Sequence, residues 1–162
     1  MGKISEITYC RNVALVTLRN VPYESGIIGE IFTAISDHGV NVDMISQTAP
    51  LGKTISIAFS ISAEAMGDLM PVVNGFKPKY PQLNMEMAVG MTKLNFYDAN
   101  MVSTPGVAAQ VFSMLATGNV CVTMITTSVT DISVLIPEHE EDTAFSLCQS
   151  TYYIEPQELE SL

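Results

Sequence analysis

The sequence repeats itself. Shifted by 80 positions, residues 21–48 lie over residues 101–128 without a gap, and six of the 28 positions are identical. These are Gly26/Gly106, Phe32/Phe112, Val40/Val120, Val42/Val122, Met44/Met124 and Ile45/Ile125. Conservative pairs such as Ile31/Val111 and Ile35/Leu115 keep the apolar positions in phase. A chain of 162 residues built from two copies of one unit folds as two small domains of the same kind.

The unit has a readable order. Ala14–Leu18 is short, apolar and rich in β-branched residues, which predicts a strand. Pro22 to Gly26 breaks it, and Ile27, Ile28, Ile31, Phe32 and Ile35 recur at helical spacing. Ser25 is placed to cap that helix, and Gly39 follows its end. Val40–Ser46 alternates as a strand, with Val40, Val42 and Met44 on one face and Asn41, Asp43 and Ile45 on the other. Thr54–Ile61 reads as a third strand. Met66, Leu69, Met70 and Val73 suggest a second helix that Pro71 should kink or shorten. Leu83, Met85, Met87 and Val89 alternate as a fourth strand.

The second copy gives strand Lys93–Tyr97, a helix from Thr104-Pro105 through Leu115, strands Val120–Thr126 and Asp131–Ile136, and a helix lined by Ala144, Leu147 and Cys148. Tyr152–Ile154 is expected as a short last strand. Each copy is βαββαβ, an α+β, ferredoxin-like arrangement. The expected domains are 10–90 and 91–156. The surplus strand, 4–9, is free to complete a sheet elsewhere.

Many functions share this order, so the side chains must discriminate. Net charge is −10, and residues 94–162 hold nine acids with no Lys or Arg. That excludes nucleic acid and anionic membranes as partners, because both are bound by cations that neutralise phosphates. An RNA-recognition module also needs aromatic residues on its central strands, and Thr54–Ile61 offers only Phe59. No phosphate-binding GxxxxGK[ST] occurs, nor a Ser, His and acid in a nucleophile motif. His38 is expected at a helix end, facing the last carbonyls. His139 lies among acids, and the acidic run Glu138–Asp142 reads as a solvated helix start rather than a metal site. The methionines read as packing. Cys10, Cys121 and Cys148 are odd in number and widely spaced, so neither a disulfide framework nor zinc is expected, and the chain reads as cytoplasmic.

One feature reads as a site. In each copy a strand passes through a loop to a helix N-terminus, at Gly26 and at Gly106. Free N–H groups there suit a carboxylate, and glycine lets a ligand approach the backbone. Asn41 and Asp43 share a strand face, and Asp43 suits an ammonium. Together they describe a site for a free amino acid. The other reading is a surface strand residue and a turn glycine.

At these residues the chain resembles a known family. Val21-Pro22-x-x-x-Gly26-Ile27 followed by Gly39-Val40-Asn41-Val42-Asp43-Met44-Ile45-Ser46-Gln47 is similar to the first ACT domain of aspartate kinases. Met101 to Ala109, with Met124-Ile125-Thr126-Thr127-Ser128 and Ile132-Ser133-Val134, resembles the second. The resemblance covers about residues 4 to 136.

It implies βαββαβ modules that pair side by side and bind amino acids at ACT–ACT interfaces. In that family the tandem follows a kinase domain, or forms a separate small subunit, and senses lysine, threonine or both. It implies that the early strand joins the second domain. Its effector residues map onto Val21, Glu24, Ser25, Gly26, Ile27, Ile28, Asn41, Val42, Asp43 and Gln47. A second site maps onto Ser103, Gly106, Val107, Cys121 and Thr123.

The chain departs from the family pattern in places. Ser25 replaces a proline, Cys121 and Thr123 stand where the first copy has Asn41 and Asp43, and Ser128 is followed by Val129 rather than Glu. The second site therefore lacks an acidic partner for an ammonium; it is either empty or a dimer contact.

The expectation is a non-catalytic regulatory tandem, dimeric through its ACT domains, with no cofactor and no metal. It would bind lysine first or threonine next, and act on an aspartate kinase catalytic subunit. The rival is a ligand-free oligomerisation or interaction module of the same fold.

Overall fold

The computed structural model describes residues 4–160. Its elements are β1 (Glu6–Pro22), α1 (Ile27–Asp37), β2 (Ile45–Gln47), β3 (Thr54–Ser62), α2 (Met66–Phe76) and β4 (Asn84–Tyr97). Then follow α3 (Val107–Thr117), β5 (Met124–Thr127), β6 (Asp131–Pro137), α4 (Glu141–Tyr152) and β7 (Gln157–Glu158). The chain divides into two compact units, each α+β. One is Asn12–Val89; the other joins residues 4–11 to residues 90–160.

In the unit Asn12–Val89 the strand order is β2-β3-β1-β4, with β1–β3 and β2–β3 antiparallel. Ile27, Ile31 and Ile35 of α1 and Leu69, Val72, Val73 and Phe76 of α2 are buried with Val16, Leu18, Ile57 and Phe59 of the sheet. The gap left among Leu18, Ile31 and Phe59 is about 10 Å³, at the lower limit for a water. The other unit has the order β5-β6-β4-β1, and β7 adds to β1 in parallel. Its core gathers Ile7, Leu94, Phe96, Val111, Leu115, Ile132 and Cys148. Burial pushes the Cys148 thiol up to about 12.

The repeat survives in backbone detail. Gly26 (φ 89°) and Gly106 (φ 93°) are both left-handed and precede their helices directly. Gly39 (φ 74°) and Asn119 (φ 54°) are left-handed at equivalent positions beyond the helix ends. Asn serves there because its short polar side chain tolerates this region. His38 and Gly118 stand at equivalent C-caps. His38 Nδ1 lies 2.8 Å from the Ala34 carbonyl. At Gly118 a Cβ would come within 2.8 Å of Leu147 Cδ1 and Thr143 Cγ2, so glycine lets α3 meet α4.

Several elements differ from the sequence reading. The expected strands 4–9 and 14–18 are parts of one strand, β1, which starts only at Glu6 and is interrupted at Arg11-Asn12 and Arg19-Asn20. In each pair both residues are exposed and the asparagine is left-handed (φ 58° and 57°), and at Arg19-Asn20 the register shift between Leu18 and Val21 marks a bulge. The fourth strand and Lys93–Tyr97 likewise form one strand, β4. Val40–Ser46 and Val120–Thr126 are strand only from Ile45 and Met124. Ser25 makes no cap, and Pro105 precedes rather than opens its helix; Gly26 and Gly106 are the N-caps.

Pro71 lies inside α2, which runs on to Phe76. Burial of Leu69, Val72, Val73 and Phe76 outweighs the roughly 3 kcal/mol a helix proline costs. Met70 and Met87 are exposed rather than packed. Tyr152–Ile154 is no strand, because α4 continues to Tyr152 and ends on left-handed Tyr153. Glu141, read as solvated, is buried. Among the described residues no helix is long and apolar enough to cross a membrane.

Candidate functional site

The bulge at Arg19-Asn20 shifts the β1–β3 register between Leu18 and Val21 and returns Val21 to the core. The loop that follows is held in place. Tyr23 N–H donates to the Lys53 carbonyl at 2.8 Å and Glu24 N–H to that of Pro22 at 3.0 Å. Gly26 then starts α1 with no side-chain cap, so the first N–H groups are left to solvent or ligand. Glu24, Ser25 and Gly26 are exposed, Ile27 is buried and Ile28 is 37% exposed.

Beyond α1, Val40 and Met44 are buried, Val42 is half-buried, and Asn41, Asp43 and Gln47 are exposed. Ser60 fixes this orientation. Its carbonyl accepts from Asp43 N–H (3.1 Å), its hydroxyl from Met44 N–H (3.0 Å), and its own N–H donates to the Met44 carbonyl (3.0 Å). Ser60 was not singled out in the sequence; a serine inside an apolar strand was the available signal.

The register separates the two halves of the expected site. Asp43 is bonded at Ser60, whereas the loop is bonded at Lys53, seven residues along the same hairpin arm. At ~3.3 Å per residue that is about 20 Å, far more than one amino acid spans. Within one chain, the loop Val21–Ile28 and the pair Asn41 and Asp43 are not brought together.

The second copy shows the same division. Thr123 N–H and hydroxyl both donate to the Leu135 carbonyl, and Cys121 N–H donates to the Glu140 carboxylate at 2.6 Å. Asp98, at the start of the loop, is instead bonded at Thr130. Gly106 and Val107 therefore stand apart from Cys121 and Thr123. They line an open cleft of about 370 Å³ with Met101 on one side and Thr127, Ser128 and Val129 on the other. That volume lies in the range of small-molecule sites. Ser103 is spent on the Asn100 carbonyl. None of the side chains lining the cleft is ionisable.

The far wall of the cleft is preorganised by Asp131. Its carboxylate accepts from Asn95 Nδ2 (3.2 Å), Ser128 Oγ (2.9 Å) and Thr130 Oγ1 (2.9 Å). Burial opposes its ionisation, but these donors outweigh burial and hold its pKa below the usual carboxylate range. A lowered folded pKa stabilises the native state in full above the unfolded value of about 4. That stability is lost as pH falls through the folded value. Asp131→Asn is therefore expected to cost about 1–2 kcal/mol at neutral pH and to flatten the acid limb of the stability curve. Urea melts between about pH 2 and 7 would show it; parallel curves for both proteins would refute it.

Two ACT-domain models match the chain, at residues 17–69 and 96–152. An aspartokinase of Bacillus sp. (strain MGA3) is 30% identical over 128 residues, 79% of this chain and 31% of that protein. The chain thus spans about a third of the length of that curated relative. Among solved structures, the ligand-free regulatory subunit of aspartate kinase from Thermus thermophilus superposes with a TM-score of 0.80. It is 23% identical, over 93% of this chain and 99% of that one. Aspartate kinase from Synechocystis superposes with a TM-score of 0.90 at 25% identity, over 98% of this chain and 28% of that one.

Proposed function

The chain belongs to the ACT-domain family, carrying two such domains in tandem, and from that premise we propose that it is a non-catalytic module that binds a small amino acid and regulates an aspartate kinase. The observation that carries this reading is the strand–loop–helix start built twice around a left-handed glycine, with an open cleft at the second. Uncapped helix N–H groups at Gly26 suit the ligand carboxylate. Asp43 suits its ammonium.

Because about 20 Å separates these groups in one chain, the effector is shared: the loop of one copy meets Asn41 and Asp43 of a second. This makes ligand binding and dimer formation linked equilibria, and a ligand that favours one arrangement shifts the population toward it. Lysine is the first choice for this site, since Glu24 and Asp43 are acidic; threonine follows. The cleft at Gly106, without an ionisable lining, fits a neutral ligand.

Titration calorimetry with lysine, threonine and the other amino acids tests the reading. Saturating heat is expected with one of them. Asp43→Ala should weaken that binding by roughly 10- to 100-fold, the worth of a charged hydrogen bond. Unchanged affinity in the variant would remove Asp43 from the site. Silence with all twenty, from folded protein, would favour the ligand-free interaction module.

A further inference from the structure

The buried carboxylate of Glu141 takes no part in the proposed ligand site, yet among the described residues it accepts four side-chain bonds. It is the first residue of α4 and 6% exposed. Arg11 Nε lies 2.9 and 3.1 Å from its two oxygens, and Arg11 Nη2 makes a further bond. The buried Thr92 hydroxyl donates to it at 2.8 Å. Arg11 is on β1 and Thr92 on β4, the two strands that run on beyond this unit.

Each strand leaves the unit beside a left-handed residue. On β1 that residue is Asn12 (φ 58°), next to Arg11; on β4 it is Gly90 (φ 68°), two before Thr92. A left-handed residue within a strand breaks the regular ladder and lets the chain change direction. Two such breaks, each flanked by a residue bonded to one carboxylate, are two independent observations with a single point of control.

We propose that Glu141 is a positioning residue, a clasp that fixes the course of both strands at the breaks. Of the four bonds, three go to β1 and one to β4, so removing the carboxylate frees both strands, whereas removing Thr92 frees β4 alone. A role confined to starting α4 would loosen the helix and leave the strands unchanged.

Hydrogen exchange of the full chain, followed by mass spectrometry, separates these cases and needs no ligand, so its outcome is independent of the effector reading. In Glu141→Gln, amides at 9–13 and at 88–92 are expected to exchange about tenfold faster, with those of β3 and β6 unchanged. Thr92→Val should speed 88–92 only, and Arg11→Lys, which loses the two-pronged bond, 9–13 only. If Glu141→Gln does not fold, the last two variants carry the test. Faster exchange confined to 141–152, a uniform rise across the chain, or identical effects of Thr92→Val and Arg11→Lys on both segments would overturn the proposal.

Discussion

Phe96→Ala is expected to lower the unfolding free energy by about 3–5 kcal/mol. Phe96 lies on β4 with no exposed surface, packed among Leu94, Val111, Leu115, Ile132 and Val134. Alanine would remove most of a ring from a close-packed interior, and the walls, set by two strands and two helices, have little freedom to collapse. A domain of this size is stable by roughly 5–15 kcal/mol, so the loss is a large part of the total. Its neighbour supplies a contrast of sign. The Tyr152 ring lies 6.5 Å from that of Phe96, and its hydroxyl is buried without a hydrogen-bond partner among the described residues. Tyr152→Phe removes only that hydroxyl and is expected to be neutral or stabilising by up to about 1 kcal/mol. Urea melts followed by circular dichroism give both values. A loss below about 1 kcal/mol for Phe96→Ala would mean that the ring is not packed in this core.

What the sequence made legible was local or periodic. The repeat, the apolar stripe Ile27-Ile31-Ile35 and the glycine before α1 and α3 need only neighbouring residues, and all are present. The length of β1 was missed because Arg11-Asn12 and Arg19-Asn20 interrupt the alternation and read as strand ends. A bulge has that same pattern, and only pairing distinguishes the two. Glu141 was read as solvated because its partner Arg11 is 130 residues away. The site was legible in its parts and not in its assembly. Gly26 and Asp43 each suit one end of an amino acid, but their separation follows from the register of β3 against β1 and β2, which no local pattern encodes.

The two Arg-Asn pairs of β1 give a controlled comparison, and the second large effect is expected there. Arg11 meets Glu141, whose side chain is 8% exposed, and also the half-exposed Glu158 at 3.2 Å; Arg19 meets Glu86, with both side chains more than half exposed. Removing Arg11 leaves a carboxylate out of water with Thr92 as its remaining donor among the described residues. Breaking a buried pair in this way typically costs about 3–5 kcal/mol; Arg11 itself is 42% exposed, which reduces the expected loss for Arg11→Ala to about 2–3 kcal/mol. Arg19→Ala leaves both partners free to hydrate, and about 0–0.5 kcal/mol is expected. Salt should act unequally on the two. At 1 M salt the screening length is about 3 Å, so the small Arg19 effect vanishes, while the Arg11 effect persists because the carboxylate is sheltered from counterions. Replacing both partners at once, Arg11→Met with Glu141→Leu, removes the buried charge as well as its partner and should recover most of the loss. Equal costs for Arg11→Ala and Arg19→Ala, or an Arg11→Ala cost that disappears at 1 M salt, would mean that Glu141 is hydrated. The carboxylate would then have no reason to hold Arg11 and Thr92 together.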